Sequence, residues 1–200
     1  MGNLTLNGQT VLTQVGTNKP EFGAGVPSGT ILQVQHTQFD STAVMTGINN
    51  GSNYVLCDGA AGSGTEILNV NITPKFNNSK IWIQVQWTGE FNPVSMTWNS
   101  IFFLYRNTIK LHNTTGAGES GIMTPSTSYT STNEDSTPEN CMFQYFDVPA
   151  TTDTITYKVG FLQTETATGG VLYTNRTVSN NTSGGYERGV SSIVAMEIAA

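Results

Sequence analysis

Apolar and polar residues alternate at every second position through much of this sequence. The segment KIWIQVQW, residues 80–87, places Ile81, Ile83, Val85 and Trp87 on one side and Trp82, Gln84 and Gln86 on the other. Alternation with a period of two is the pattern of a β-strand with one buried face. No segment of a dozen residues repeats apolar positions at helical spacing. These patterns predict an all-β protein and exclude a parallel α/β fold, which needs helical crossovers.

Strand patterns recur along the chain with nearly even spacing. They include ILQVQH, LNVNI, IFFLY, CMFQYFDV, ITYKVGFL and VLYTN, with Gly, Asn and Pro between them. The continuous apolar run IFFLY, residues 101–105, is expected of a strand that is covered on both sides. Together the patterns predict about nine or ten strands in an antiparallel β-sandwich of jelly-roll type.

Length and charge limit the domain count and the partners. The 200 residues fit one domain with a single core. Only 11% of the residues are charged, and the net charge of −6 opposes contact with phosphate backbones, so nucleic acid is not an expected partner. No window reaches the roughly 18 apolar residues of a membrane span, and the first ten residues lack the pattern of a signal peptide. We therefore expect synthesis in a cytoplasm and no membrane partner.

Motifs for catalysis and metal binding are missing from the sequence. His36 and His112 fall outside metal-ligand spacings, and no GxSxG, P-loop or CxxC motif occurs. Spacing alone does not decide whether two carboxylates are placed for sugar cleavage. We predict no enzyme, no metal and no cofactor. Cys57 and Cys141 could pair, but free, buried thiols are the expectation in a chain made in a cytoplasm.

One long segment, residues 113–140, interrupts the even spacing of the strands. It has few large apolar residues, so it is either a tolerated surface insertion or a contact loop. Residues 49–64 and 179–186 are shorter segments of the same kind. A glycan site would combine aromatic rings, on which sugars stack, with amides that bind hydroxyls. The candidates for such contacts are Trp98, Asn99, Tyr129 and Tyr186.

The closing segment ERGVSSIVAMEIAA has the pattern of a terminal strand. One of its faces is largely apolar and carries Val190, Ser192, Val194, Met196 and Ile198. The other face is small except for one carboxylate and carries Ser191, Ile193, Ala195, Glu197 and Ala199. A buried, unpaired carboxylate is costly. Glu197 is therefore expected at the protein surface or beside a cation.

Five segments between residues 29 and 200 together resemble a known family. They are GTILQVQHTQF, NITPKFNNSKIWIQVQ, SIFFLYRNTIKL, ITYKVGFLQT and GVSSIVAMEIA. They resemble phage virion proteins of marine and cyanobacterial viruses, which open on G-x-(I/V)-(I/L)-Q-V, carry I-T-P-x-x-x-x-S-K-I and close on M-E-I. Members of that family are tail-fibre, capsid-fibre or decoration proteins. The resemblance implies a protein of the virion whose partners are other virion proteins.

The segment FFLYRN is also similar to the trimeric jelly-roll heads of the tumour-necrosis-factor and complement kind. That similarity implies a homotrimer in which the terminal strand lies near the subunit axis. Its predicted interface residues are Val194, Met196, Glu197 and Ile198. Glu197 would then either lie at the rim of the axis beside Lys or Arg, or face water on an edge strand, where a charge discourages unwanted pairing.

The first 28 residues follow a different pattern from the rest. Leu4 and Leu6 lead into the hairpin signal Asn7-Gly8. Large apolar residues are too few to build a core, so we predict a short extended arm, residues 1–28, in front of a head domain, residues 29–200. In a virion protein such an arm would add strands to a neighbour through Leu4, Leu6, Val11 and Leu12. The alternative is that the arm wraps its own domain.

Two functions remain open at the level of sequence. The first is a structural subunit of the virion exterior, a fibre or capsid decoration protein anchored by its arm with the head outward. The alternative is the receptor-binding head of a tail fibre, whose loops recognise a host cell-surface polysaccharide. A glycan site requires exposed aromatic rings, whereas a purely structural subunit would bury them.

Overall fold

The computed structural model describes residues 2–46, 55–56, 68–92, 100–112, 121–124, 126, 136–163, 171–179 and 186–200. Every regular element in this part of the chain is a β-strand, which confirms the all-β prediction. The strands are β1 Gly2–Leu6, β2 Gln9–Gln14, β3 Glu21–Phe22, β4 Ile31–Phe39, β5 Ala43–Thr46, β6 Val55–Leu56, β7 Asn69–Ile72, β8 Lys80–Asn92, β9 Ser100–Arg106, β10 Ile109–Lys110, β11 Glu139–Asp147, β12 Ile155–Gln163, β13 Val171–Thr174 and β14 Ser191–Ile198.

The head consists of two antiparallel sheets. Sheet 1 has the order β4-β14-β8-β13-β5, with β11 also paired to β8. Sheet 2 has the order β10-β9-β12-β6, with β7 also paired to β12. Gln86 of β8 pairs with both Ser192 and Met142, so β11 and β14 lie on opposite sides of β8. Successive strands of the head pass repeatedly between the sheets, which fits a sandwich of the predicted class.

The core lies between the two sheets. Alternate residues of β8 point into it, as the KIWIQVQW pattern predicts, and all are almost fully buried. Aromatic rings join the sheets, since Trp87 lies 5.1 Å from Phe102 and Phe91 lies 5.3 Å from Phe161 between ring centroids. Burial of these rings is the main source of stability that the chain's composition offers.

Strand β9 is covered on both sides, as its continuous apolar run predicts. Phe102 and Leu104 point into the core, while Phe103 is also fully buried. The ring of Phe103 lies against Gly160 of β12, where a Cβ atom would overlap it. Lys110 covers the ring from outside, with Nζ 4.7 Å from the ring centroid.

The arm differs from the predicted extended segment because it folds back twice. Asn7 and Gly8 have φ angles of 48° and 78°, which confirms the hairpin between β1 and β2. Strand β3 then pairs with β2, so that Leu4, Leu12 and Phe22 form one row across a three-stranded sheet. Leu4 and Phe22 remain exposed, which explains why the arm has almost no core of its own.

An ion pair links the arm to the head. Lys75 Nζ of the head lies 3.3 Å from Glu21 Oε2 of β3, and both side chains are partly or largely exposed. Where the chain leaves the arm, Gly29 donates its N–H to the Ala199 carbonyl at 2.8 Å. The start of the head therefore lies beside the end of β14.

Candidate functional surface

Strand β14 lies in the interior of sheet 1, between β4 and β8, so the alternative that placed Glu197 on an edge strand is wrong. Its small face points into the chain's own core, where Ile193, Ala195 and Glu197 have no exposed surface. Its apolar face, with Val194, Met196 and Ile198, points outward and is half-buried. Of the four predicted interface residues, Val194, Met196 and Ile198 therefore lie on an outer surface, whereas Glu197 points into the core.

Glu197 contradicts both predicted environments. The carboxylate is fully buried, with no Lys or Arg beside it among the ion pairs of the described residues. Its Oε1 accepts hydrogen bonds from Ser79 Oγ at 2.6 Å and from the backbone N–H groups of Lys75 and Phe76 at 2.7 and 3.3 Å. Oε2 accepts one from Gln33 Nε2 at 2.6 Å. Hydrogen-bond donors, rather than a cation, offset the cost of burying this charge.

This arrangement connects two of the motifs found in the sequence. The loop 75–79 lies inside I-T-P-x-x-x-x-S-K-I, and Glu197 is the acid of the closing M-E-I. Gln33, from the opening motif, also donates to the Thr73 carbonyl at 2.7 Å. Sequence reasoning missed the connection because the donors and the carboxylate are more than a hundred residues apart. The only available signal was that the motifs occur together.

The outward side of sheet 1, which we call the open face, is formed by β4, β14, β8 and β11. The pairing registers place its side chains in four cross-strand rows. The rows are Gln38, Ser192, Gln86 and Met142; His36, Val194, Gln84 and Gln144; Val34, Met196, Trp82 and Phe146; and Ile31, Ile198 and Lys80, beside Val148. None of these side chains is a carboxylate. The open face is thus free of the negative charge that dominates the chain.

The last two rows form the apolar half of the open face, at the end of sheet 1 nearest the arm. The rings of Trp82 and Phe146 stack with centroids 5.5 Å apart and planes 9° apart. Phe146 is 56% exposed and Val34 is 51% exposed, although both are large apolar residues on regular strands. Lys80 is the one charged side chain in these two rows. A patch of exposed apolar side chains of this kind is typical of a surface that contacts a partner.

The first two rows form the amide half of the open face. A groove of about 360 Å³ lies here, between β14, β8 and β11. Its polar lining consists of Gln84, Gln86, Gln144 and Ser192, and Met142 and Val194 supply apolar surface. Sequence reasoning placed binding residues in loops and overlooked the glutamines, because amides on an alternating strand indicate only a solvent-facing side.

The predicted loop residues are placed only in part. Trp98, Asn99 and Tyr129 lie outside the described residues, as do Cys57 and most of the segment 113–140. Tyr186 is half-buried. Cys141 is free and buried, as expected, and burial raises the pKa of its thiol to about 12.

A cluster of cationic and aromatic side chains lies near Tyr186. Arg188 faces Arg176 across an isolated antiparallel bridge. The Arg176 guanidinium lies 4.5 Å from the Tyr173 ring centroid, and burial together with the charge of Arg188 lowers its pKa. The ring positions Arg176, so the cluster has a structural explanation.

The predicted anchor residues occupy the two long strands of the arm. Leu4 and Leu6 are 52% and 62% exposed, and Val11 and Leu12 are half-buried. These four residues lie on one small sheet, where Leu4 is directly opposite Leu12 and Val11 points to the other face. This placement leaves the apolar surface of the arm available to a partner.

Several other buried polar groups of the head have structural partners, although Trp82 Nε1 and Arg176 Nε have no hydrogen-bond partner among the described residues. Asp147 accepts two hydrogen bonds from Arg106 and one from the Tyr157 hydroxyl at 2.7 Å. Asn175 Nδ2 donates to the carbonyls of Phe39 and Ser41, which joins the end of β13 to the end of β4 and the turn that follows it. The Glu139 carboxylate accepts from Phe91 N–H at 3.2 Å, and burial, with the negative charge of Glu90, raises its pKa to about 8.

Within the described ranges, no three His, Cys, Asp or Glu side chains come together as a metal site would require. No helix suited to crossing a membrane is found in that same part of the chain. Comparison with protein-family models gives no match for this chain, and comparison with curated proteins gives none either. The surfaces described above are therefore the basis for a functional proposal.

Proposed function

We propose that the chain is a structural subunit of a bacteriophage virion exterior, either a fibre protein or a capsid decoration protein. It is made in the host cytoplasm, assembles as a homotrimer and attaches to other virion proteins through its arm, with the head outward. The resemblance of residues 29–200 to phage fibre and decoration proteins supports the virion assignment. The observation that carries the proposal is the exposed apolar half of the open face.

A second copy suits this apolar surface better than a charged partner does. The chain carries a net charge of −6, so two copies repel each other wherever carboxylates meet. The open face has no carboxylate, and its apolar half offers stacked rings and aliphatic side chains. Homo-oligomers of closed symmetry are the commonest assemblies of soluble chains.

The mass of the full chain in solution tests the assembly. We expect a mass close to three times the 21.5 kDa of one chain, measured by light scattering during size-exclusion chromatography. The double variant Phe146→Gln/Met196→Gln should lose that mass, because both changes place a polar amide in the apolar half. Ile109→Gln is the matched control, since Ile109 is 55% exposed but lies on sheet 2.

Two results would contradict the assembly. One is a monomeric full chain, and the other is a double variant that assembles as well as the control. The anchor is tested separately by adding purified protein to particles of a phage in which the corresponding gene is deleted. Leu4→Asn/Leu6→Asn should keep the trimer mass but lose attachment, as seen by immunogold electron microscopy. Equal attachment of this variant and the unmodified chain would rule out the arm as anchor.

A further inference from the structure

We propose that the amide half of the open face is a binding groove for a neutral saccharide chain. This site does not depend on the virion assignment, and it lies on the sandwich surface rather than in the loops. The groove has a volume of about 360 Å³, room for a few sugar rings but not for a protein domain.

The three glutamine side chains of the groove lie close together but form no hydrogen bonds with one another. Gln84 and Gln144 are directly opposed on neighbouring strands, and Gln86 lies two residues along from Gln84. Side chains at opposed positions are within reach of each other. Nevertheless, within the described part of the chain none of these three amides forms a hydrogen bond with another protein group. Each retains two N–H donors and a carbonyl acceptor for a ligand.

The chemistry of the lining matches hydroxyl groups. A sugar hydroxyl both donates and accepts a hydrogen bond, so an amide can bind it in either orientation. Met142, 64% exposed, and Val194 provide apolar surface for the C–H side of a sugar ring. Phe146 follows Gln144 by two residues on the same face of β11, so the apolar half begins at the border of the groove.

Charge selects among possible ligands. The groove lining has no Asp, Glu, Lys or Arg. A phosphate, sulfate or uronate would lose its hydration there without gaining a cation, which is unfavourable. A second copy of the chain would need a convex surface with polar groups matched to the amides to fill the groove, whereas the stacked rings that favour self-association lie in the adjoining apolar half. A neutral, hydroxyl-rich chain therefore fits best.

The side-chain amide signals of the groove glutamines provide a direct test. The full chain labelled with ¹⁵N-glutamine is titrated with maltohexaose, mannohexaose, galactohexaose and, for charge, trigalacturonate. We expect the signals of Gln84, Gln86 and Gln144 to shift with at least one neutral sugar. Each signal is assigned from the variant in which that glutamine is replaced by Ala. These glutamine side chains are exposed, so the substitutions leave the core intact.

Variants separate binding from a general effect on the surface. Gln84→Ala/Gln144→Ala should weaken binding of the responding sugar about tenfold, the effect of losing two neutral hydrogen bonds. Gln9→Ala is the matched control, because Gln9 is an exposed strand glutamine in the arm. The proposal is overturned if no neutral sugar shifts the three signals, or if only trigalacturonate does. It is also overturned if the signals change with protein concentration in the absence of sugar in the variant Phe146→Gln/Met196→Gln, which cannot assemble through the apolar half, because a second copy would then occupy the groove.

Discussion

At the scale of single residues, Glu197 shows how a charge can be buried without a counter-ion. Two backbone N–H groups, one hydroxyl and one amide surround the carboxylate, so both oxygens are satisfied. These donors come from β4 and from the loop before β8. The carboxylate therefore fastens that loop to the last strand, and the loop in turn carries Lys75, which pairs with Glu21 of the arm.

Replacing Glu197 by Gln tests this role. The side-chain amide of the new glutamine has an N–H₂ group where the carboxylate has an acceptor oxygen. At least one of the hydrogen bonds to the charged carboxylate is therefore lost, and its buried donor is left unpaired. We expect the free energy of unfolding to fall by about 2–4 kcal/mol, measured by urea denaturation. Glu187→Gln is the control, because Glu187 is exposed and has one hydrogen bond, from Ser136. An equal, small effect in both variants would show that the buried charge has no special role.

Sequence reasoning could predict that Glu197 needed compensation but not where compensation would come from. The cost of an unpaired buried carboxylate is general. The actual donors include backbone groups of Lys75 and Phe76, which have no residue-specific signature. The groove glutamines illustrate the same limit, because their convergence depends on cross-strand register, which the sequence does not specify.

At the scale of elements, strands with a clear apolar pattern were predictable, including the four-residue strands β7 and β13, whereas short strands without such a pattern were not. The patterns of β8, β11 and β12 predicted those strands, but β3, β5 and β6, of two to four residues, escaped notice. The orientation of β14 was also unpredictable, because both of its faces carry apolar residues. Its inward face has the smaller side chains, and Ala195 lies opposite Ile83 of the neighbouring strand.

The contact between β9 and β12 gives a prediction at this scale. Gly160→Ala would add a Cβ atom that overlaps the Phe103 ring on an otherwise closely packed pair of strands. We expect a loss of about 1–3 kcal/mol in the free energy of unfolding, measured by thermal and urea denaturation. Adding Phe103→Leu should recover part of the loss by making room. If Gly160→Ala alone leaves stability unchanged, the ring does not require this glycine.

At the scale of the whole molecule, the pH dependence of stability has an identifiable source. The pKa of Glu139 is raised from 4.5 to about 8 in the folded chain, by burial first and by Glu90 second. Between those values the folded chain holds a proton that the unfolded chain has released. The contribution of Glu139 is therefore complete below pH 4.5 and is lost as the pH rises toward and through about 8.

Comparison with Glu139→Gln isolates this contribution. Urea unfolding from pH 4.5 to 8.5 should show the free energy of unfolding of the unmodified chain falling more steeply than that of the variant. Titrating groups far from Glu139 affect both proteins alike and cancel in the difference, whereas the interaction of Glu139 with Glu90 belongs to the effect that is measured. Parallel pH profiles for the two proteins would mean that Glu139 is ionised in the folded state, contrary to its burial.

The hydrogen bonds between Glu197 and the loop 75–79 mean that two segments distant in sequence should change together in evolution. A mutation that neutralises the acid leaves the loop donors without an acceptor, and a rebuilt loop leaves the acid without donors. Lineages that descend from a common ancestor should therefore keep both segments or replace both in step. Distant relatives whose remaining sequence has drifted beyond ordinary detection can then be sought by requiring the two short segments jointly, with more than a hundred residues of sequence between them.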